Sequence, residues 1–232
     1  MLVIGHRGAA GLARENSLEA FRAGVDAGAD ILEFDVRLTK DKVPVVVHDF
    51  HTLRTHHDPK IISRLTFEEL AKRTEKLPIT PLKDVLDEFF GVIILNIELK
   101  GRGSGKVVTE LLKKSYATSP KLWDNVLISS FWGGELLAAR SISKYANLAL
   151  LHSENPFLFI AYQRRLNLTA VGFHRLYINR FALEIAKRTK LFTYAYTVNR
   201  PHTALMLAQQ GIDAVVTDRP NEILKEIKRN KK

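Results

Sequence analysis

Short apolar runs rich in β-branched residues recur along this chain of 232 residues, with helix-patterned segments between them. That alternation constrains the fold more than any other feature. The predicted strands are Leu2–Gly5, Asp30–Val36, Val43–His48, Val92–Glu98, Val126–Ser129, Asn147–His152, Thr169–Phe173, Leu191–Val198 and Ala214–Thr217. Helical patterns fill most of the gaps. Leu18–Ala27 follows an Asn16-x-x-Glu19 capping pattern and Phe67–Arg73 follows Thr66-x-x-Glu69; the remaining predicted helices are Leu82–Phe90, Lys106–Tyr116, Glu135–Lys144, Phe157–Arg165, Arg180–Arg188, His202–Gln210 and Asn221–Lys228. Strands that alternate with helices build a parallel sheet through right-handed crossovers.

One gap breaks the pattern. Only six residues separate Val36 from Val43, too few for a crossover helix, so those two strands are expected to form a hairpin or a bent excursion. A two-residue turn at Asp41-Lys42 would put Asp35 directly opposite His48, with Glu33 on the same face. Setting the return strand aside leaves eight, the count for an α/β (β/α)8 TIM barrel. A doubly wound dinucleotide fold is disfavoured, because no Gly-x-Gly-x-x-Gly turn follows the first strand. No repeat, low-complexity stretch or Pro/Gly-rich linker marks a boundary, so residues 1–232 are read as a single domain.

Composition narrows the function classes. The chain has no cysteine, which excludes a disulfide framework, a zinc-thiolate site and a cysteine nucleophile, and suits a reducing compartment. No run approaches a membrane span and the N-terminus lacks the charge pattern of a signal peptide, so a cytoplasmic location is expected. Basic residues outnumber acidic ones 35 to 25. Five of them (Lys225, Lys228, Arg229, Lys231 and Lys232) fall in the last eight residues, read as a frayed basic tail over 225–232. No basic stripe with interleaved aromatics accompanies the excess, which argues against a specific nucleic-acid partner and leaves an anionic small-molecule substrate. Oligomeric state has no signature in the sequence.

Polar residues gather at the predicted strand ends. His6-Arg7-Gly8 closes the first strand, Glu33-x-Asp35 the second, His48-Asp49 the return strand and Asn96-x-Glu98-x-Lys100 the next. Alternate residues of a strand share a face, so Glu33, Asp35, Asn96, Glu98 and Lys100 are expected to face one barrel mouth, where such barrels keep their active sites. Three converging carboxylates call for a cation, and a hard divalent ion such as Mg²⁺ or Ca²⁺ takes oxygen ligands. Two histidines supply an acid and a base near neutral pH, while Arg7 and Lys100 supply donors for a phosphate. The combination points to phosphodiester cleavage. His51, His56, His57, His152, His174 and His202 are read as structural, and Arg54 as part of the cleft rim.

These residues carry a resemblance. His-Arg-Gly at 6–8, Glu-Asn-Ser at 15–17, Glu-Phe-Asp-Val at 33–36, Leu-Thr-Lys-Asp at 38–41, His-Asp at 48–49, Glu-Leu-Lys at 98–100, Tyr-Thr-Val-Asn at 196–199 and Gly-Ile-Asp-Ala-Val-Val-Thr-Asp-Arg-Pro at 211–220 resemble the motifs of the glycerophosphodiester phosphodiesterase family. The resemblance implies a TIM barrel that hydrolyses glycerophosphodiesters to glycerol 3-phosphate and an alcohol. It implies Glu33, Asp35 and Glu98 as ligands of a divalent metal, Mg²⁺ or Ca²⁺, His6 and His48 as general acid and base, and Arg7 and Lys100 as phosphate-neutralising residues. Tyr196 stands where the family carries tryptophan and is expected on the substrate-pocket wall; residues 50–81 occupy the place of the family's cap insertion. Lys42 replaces a glycine at the hairpin turn. Attack by water and attack by the neighbouring glycerol hydroxyl through a cyclic phosphate both fit this residue set. Two rival readings keep parts of it: a lysophospholipase D acting on lysophospholipids, for which 50–81 shows only scattered apolar residues among many basics, and a non-catalytic barrel binding phosphate or nucleic acid.

Overall fold

Side-chain alternation sorts the residues of each strand between two cores. Ile4, Ile31, Leu127, Ala149, Leu151, Ala170, Tyr194, Ala214 and Val216 pack together inside a closed sheet, whereas their neighbours, such as Val3, Leu32, Phe34, Val36, Leu95 and Ile97, pack outward against helices. In this computed structural model, which describes residues 1–152 and 154–230, the sheet is a barrel of eight parallel strands. In chain order the elements are β1 (Leu2–Gly5), α1 (Leu18–Asp26), β2 (Ile31–Leu38), β3 (Pro44–Val46), α2 (Leu53–His56), α3 (Phe67–Arg73), α4 (Leu82–Phe89), β4 (Ile94–Leu99), α5 (Ser104–Ser115) and β5 (Val126–Ser130). There follow α6 (Gly133–Ile142), β6 (Asn147–His152), α7 (Leu158–Leu166), β7 (Ala170–His174), α8 (Arg180–Arg188), β8 (Phe192–Tyr196), α9 (Pro201–Gln209), β9 (Ala214–Thr217) and α10 (Pro220–Arg229). All nine predicted strands are present. β1 pairs with both β2 and β9, closing the barrel, and β3 lies antiparallel on β2 outside the ring. Among the described residues no helix is long and apolar enough to cross a membrane.

The hairpin register differs from the expectation by one residue. Val36 pairs with Val46, and the Val47 N–H donates to the Asp35 carbonyl at 2.9 Å, so Val47 and not His48 lies opposite Asp35. The cause is the turn. Lys42 adopts a left-handed φ of 67°, and Thr39 bonds Val43 through both its backbone N–H (3.1 Å) and its hydroxyl (3.0 Å), which closes a three-residue loop over Lys40, Asp41 and Lys42. His48 therefore follows the paired segment, its carbonyl held by Arg37 Nε at 2.8 Å.

Three further expectations need correction. The N-cap of α1 is Ser17, whose hydroxyl accepts from Ala20 N, while Asn16 sits at φ 55° with its side chain committed elsewhere; the Thr66–Glu69 capping box forms as expected. Lys225, Lys228 and Arg229 do not fray but belong to α10, and residues 231 and 232 lie outside the described residues. The one-turn helix α2 has no counterpart among the predicted helices. With α3 and a 3₁₀ turn at Ile62–Arg64 it forms the excursion between β3 and α4, whose own small core comprises Val45, Val47, Ile62, Leu70 and Ile79.

Candidate active site

Where the inward-facing rows of β2 and β4 reach the mouth of the barrel, their residues change from apolar to acidic. Ile31 lies in the interior apolar layer, and Glu33 and Asp35 follow it on the same face; Asn96 and Glu98 pair in register beside them on β4. All four are buried. One oxygen from each of Glu33, Asp35 and Glu98 lies within 4.8 Å of the others, the only such cluster among the described residues. The expected convergence of these three residues is therefore present in the fold.

Each carboxylate is held differently. Asp35 takes Asn16 Nδ2 at 3.0 Å, and its backbone N–H donates to Asn16 Oδ1 at 3.3 Å, with Arg7 Nε and Lys100 Nζ both 3.4 Å from its oxygens. Burial pushes its pKa up, but the cations and the Asn16 amide outweigh burial and hold it below the ordinary carboxylate range. Glu98 lies 2.6 Å from Lys100 Nζ, yet burial and the Asp35 charge hold its pKa high. Glu33 accepts only the Arg7 backbone N–H at 3.0 Å, and its Oε1, like Asn96 Oδ1, is buried with no partner among the described residues. Burial and the neighbouring Asp35 raise its pKa from 4.5 to about 8.

Arg7 is delivered by a left-handed turn at the end of β1. Arg7 has φ 50° and Gly8 φ 88°, and a Cβ on Gly8 would lie 2.6 Å from the backbone of Ala20, so the turn packs onto α1 only with glycine there. The guanidinium then donates to Glu15 at 2.9 Å as well as facing Asp35.

The two histidines each meet a carboxylate through Nδ1. His6 Nδ1 is 2.5 Å from Asp218 Oδ1, which leaves Nε2 turned toward Glu33 at 4.0 Å; His48 Nδ1 is 2.7 Å from Asp49 Oδ1. Such contacts fix ring orientation and tautomer. Burial lowers the His6 pKa, but the Asp218 hydrogen bond and the Glu33 charge more than offset it and hold His6 above its ordinary value. For His48 burial prevails over Asp35 and Asp49, and the ring is held below its ordinary value.

Tyr196 takes part in the wall of a small cavity beneath the carboxylates, with its hydroxyl donating to the His152 carbonyl at 2.8 Å and its ring edge-on to Phe131. Two of the other histidines are engaged elsewhere: His152 is buried against Phe173, its pKa pushed down to about 4 by burial, and His56 bonds the Leu77 carbonyl; His174 packs edge-on to Tyr196. Arg54 is more than rim. Its guanidinium spans Glu15 (2.5 and 3.0 Å) and Asp49 (2.6 Å), linking α2 to the partners of both Arg7 and His48.

Asn16, Glu15, Asp49 and Asp218 lie within the sequence motifs, but sequence reasoning assigns Asn16 only a helix cap and the three acids no role. Asp49 and Asp218 directly follow strand-end residues, the one signal that could have singled them out. Nothing local marks Asn16 as a site residue, because its partner Asp35 lies on β2, remote in sequence.

Comparison with known proteins agrees with this geometry. Residues 6–222 match the sequence profile of the Glycerophosphoryl diester phosphodiesterase family. The Bacillus subtilis protein YhdW is 31% identical over 240 residues, covering 97% of this chain and 98% of that protein. A glycerophosphodiester phosphodiesterase of Caldanaerobacter subterraneus is 27% identical over 98% of both chains. Among solved structures, an Oleispira antarctica phosphodiesterase in complex with the product sn-glycerol-3-phosphate superposes with a TM-score of 0.86 at 26% identity, covering 98% of this chain and 97% of that one.

Proposed function

Because the chain belongs to the glycerophosphoryl diester phosphodiesterase family, we propose that the site hydrolyses glycerophosphodiesters to glycerol 3-phosphate and an alcohol with the aid of a divalent cation, Mg²⁺ or Ca²⁺. The observation that carries the reading is the buried trio of Glu33, Asp35 and Glu98, with Glu33 Oε1 lacking any partner among the described residues. With all three carboxylates ionised, as cation binding requires, Arg7 and Lys100 leave one net negative charge in the innermost layer. A divalent ion reverses it to one positive charge, which a phosphodiester monoanion neutralises. Unpartnered carboxylate oxygen suits a hard cation, so the residues fit the group.

In this reading Glu33, Asp35 and Glu98 hold the metal, which when bound supplies positive charge where negative charge builds on the phosphate. Arg7 and Lys100 keep Asp35 ionised, Lys100 partly offsets the rise at Glu98, and both cations offer donors to the entering phosphate. One of His6 and His48 takes the proton of the attacking water or hydroxyl, and the other returns one to the leaving oxygen. Asp218 and Asp49 hold the two rings in the tautomer that leaves Nε2 free. Tyr196 shapes the pocket wall. We treat the chain as one catalytic barrel with 50–81 as its cap, acting on water-soluble diesters in the cytoplasm.

Incubation with glycerophosphocholine, glycerophosphoethanolamine and lysophosphatidylcholine, with and without chelator, tests the proposal. Glycerol 3-phosphate should appear from the first two, disappear on chelation and return with added Mg²⁺, Mn²⁺ or Ca²⁺. Undiminished turnover without metal would mean that the three carboxylates are not metal ligands, and preference for lysophosphatidylcholine below its micellar range would change the substrate to a lysophospholipid.

A further inference from the structure

Beside Lys100 the mouth opens into a cavity of about 450 Å³, large compared with the space a glycerol moiety fills. Four cations line it, Arg37, Lys42, Lys100 and Arg102, together with the rings of Phe50 and Trp132, and among the described residues no carboxylate does. Both rings are more than half exposed. Arg37 is the telling residue. Its guanidinium is fixed by two backbone carbonyls, His48 at 2.8 Å and Lys100 at 2.9 Å, and among the described residues neither it nor Lys42 nor Arg102 forms an ion pair with a carboxylate. Burial pushes the Arg37 pKa down against the pull of Asp35, Asp49 and Glu98, as expected of a half-buried cation without a contacting counter-ion. The other wide cavity at the mouth, about 400 Å³, is different: Arg7 and Arg219 there are matched by Glu15 and Asp218, and among the described residues no phenylalanine, tyrosine or tryptophan lines it.

We propose that the Lys100-side cavity is the subsite for the alcohol moiety of the substrate, and that it selects alcohols bearing an anionic group of their own, a second phosphate or a carboxylate, over cationic ones such as choline. The proposal rests on the phosphodiesterase reading and specifies its substrate class. Lys100 belongs to both regions, 3.4 Å from Asp35 and on the cavity wall, so a diester centred on the carboxylate trio extends its alcohol directly into this space. An anion there meets donors already positioned: Arg37 is clamped, and Arg102 and Lys42 approach from the β4–α5 and β2–β3 loops. Phe50 and Trp132 offer flat faces to the ring or chain that carries the anion. A quaternary ammonium would find those same faces, but amid four like charges.

The test compares wild-type protein, loaded with Mg²⁺, on glycerophosphoinositol, glycerophosphoinositol 4-phosphate and glycerophosphocholine. The first two differ by a single phosphate on the alcohol. The 4-phosphate should be cleaved with kcat/KM higher by about tenfold or more, carried by KM, since one charge-assisted contact is worth at least that much. In Arg102→Gln/Lys42→Gln, two surface changes, the ratio between the inositol pair should fall toward one. Equal efficiency on the pair in the wild type, or an unaltered ratio in the double variant, overturns the subsite and leaves the diesterase reading standing. The wild-type ratio needs no variant to fold. Failure to release glycerol 3-phosphate from any of the three overturns the reading on which the subsite rests, and the subsite with it.

Discussion

At the scale of single residues, orientation separates the two proposed catalytic histidines from His152. His6 and His48 both turn Nδ1 to a carboxylate and leave Nε2 for the cleft, whereas His152 is buried among aromatic rings with neither nitrogen bonded to any described residue. His6→Ala and His48→Ala should each lower kcat by about 10²–10⁴-fold, and the double variant by far less than the product, because both serve one transition state. Near wild-type turnover in either single variant would make that ring structural. Asn16 tests a quieter role. Its amide meets Asp35 twice, so Asn16→Gly, which keeps the left-handed backbone at φ 55° without strain, should weaken metal affinity by about 10–100-fold, the usual consequence of removing a ligand's supporting hydrogen bond. Metal titration by calorimetry reads this directly, and unchanged affinity would reduce Asn16 to a turn residue. The convergence of the carboxylate trio was legible because period-two spacing in Glu33-x-Asp35 declares a shared face. The Asn16 contact was not, since its capping pattern gave the residue a plausible local use and its actual partner lies on β2, 19 positions away.

At the scale of elements, the same contrast holds between strands and turns. The eight barrel strands repeat a long apolar pattern whose burial on both faces leaves little freedom, and all lie near their expected bounds. The β2–β3 turn depended on one residue, Lys42, whose left-handed conformation carries no sequence signature like that of glycine, and a one-residue change in loop length shifted the register. The single turn of α2 has too few residues to show a helical period. That short helix nevertheless carries Arg54, the bridge to Glu15 and Asp49. Arg54 hydrogen-bonds neither the carboxylate trio nor the histidine rings, so it is expected to act by positioning Glu15 and Asp49. Arg54→Met should lower kcat by about 10-fold or more with KM and melting temperature little changed, and Arg54→Lys, a point charge without the planar fork, should restore only part of it. A loss confined to KM, or a large drop in melting temperature, would point instead to substrate contact or to cap folding.

At the scale of the whole molecule, barrel closure brings the ends of the chain into one site. β1 pairs with β9, so His6 meets Asp218 across a separation of 212 positions, a contact that no local pattern could announce. Closure also buries three carboxylates in one layer, and the protein's response to pH follows from that. The Glu33 carboxyl, raised to about 8 from an ordinary 4.5, is held protonated by the fold. Stability from that proton is fully present below about pH 4.5 and is lost as the pH rises through 8, because the unfolded chain ionises freely while the folded one ionises against Asp35 and Glu98. In the proposed reading a divalent cation takes the proton's place. Its binding must therefore release a proton at pH 6 and little or none well above 8, and affinity must climb across that interval. The increase in melting temperature produced by millimolar Mg²⁺ or Ca²⁺ should accordingly be larger at pH 8 than at pH 5.5, with Glu33→Gln showing a smaller gain and a flatter pH dependence. Scanning calorimetry at the two pH values decides it. An equal gain at both, or a larger one at pH 5.5, would mean that the cation stabilises the protein somewhere other than the buried trio.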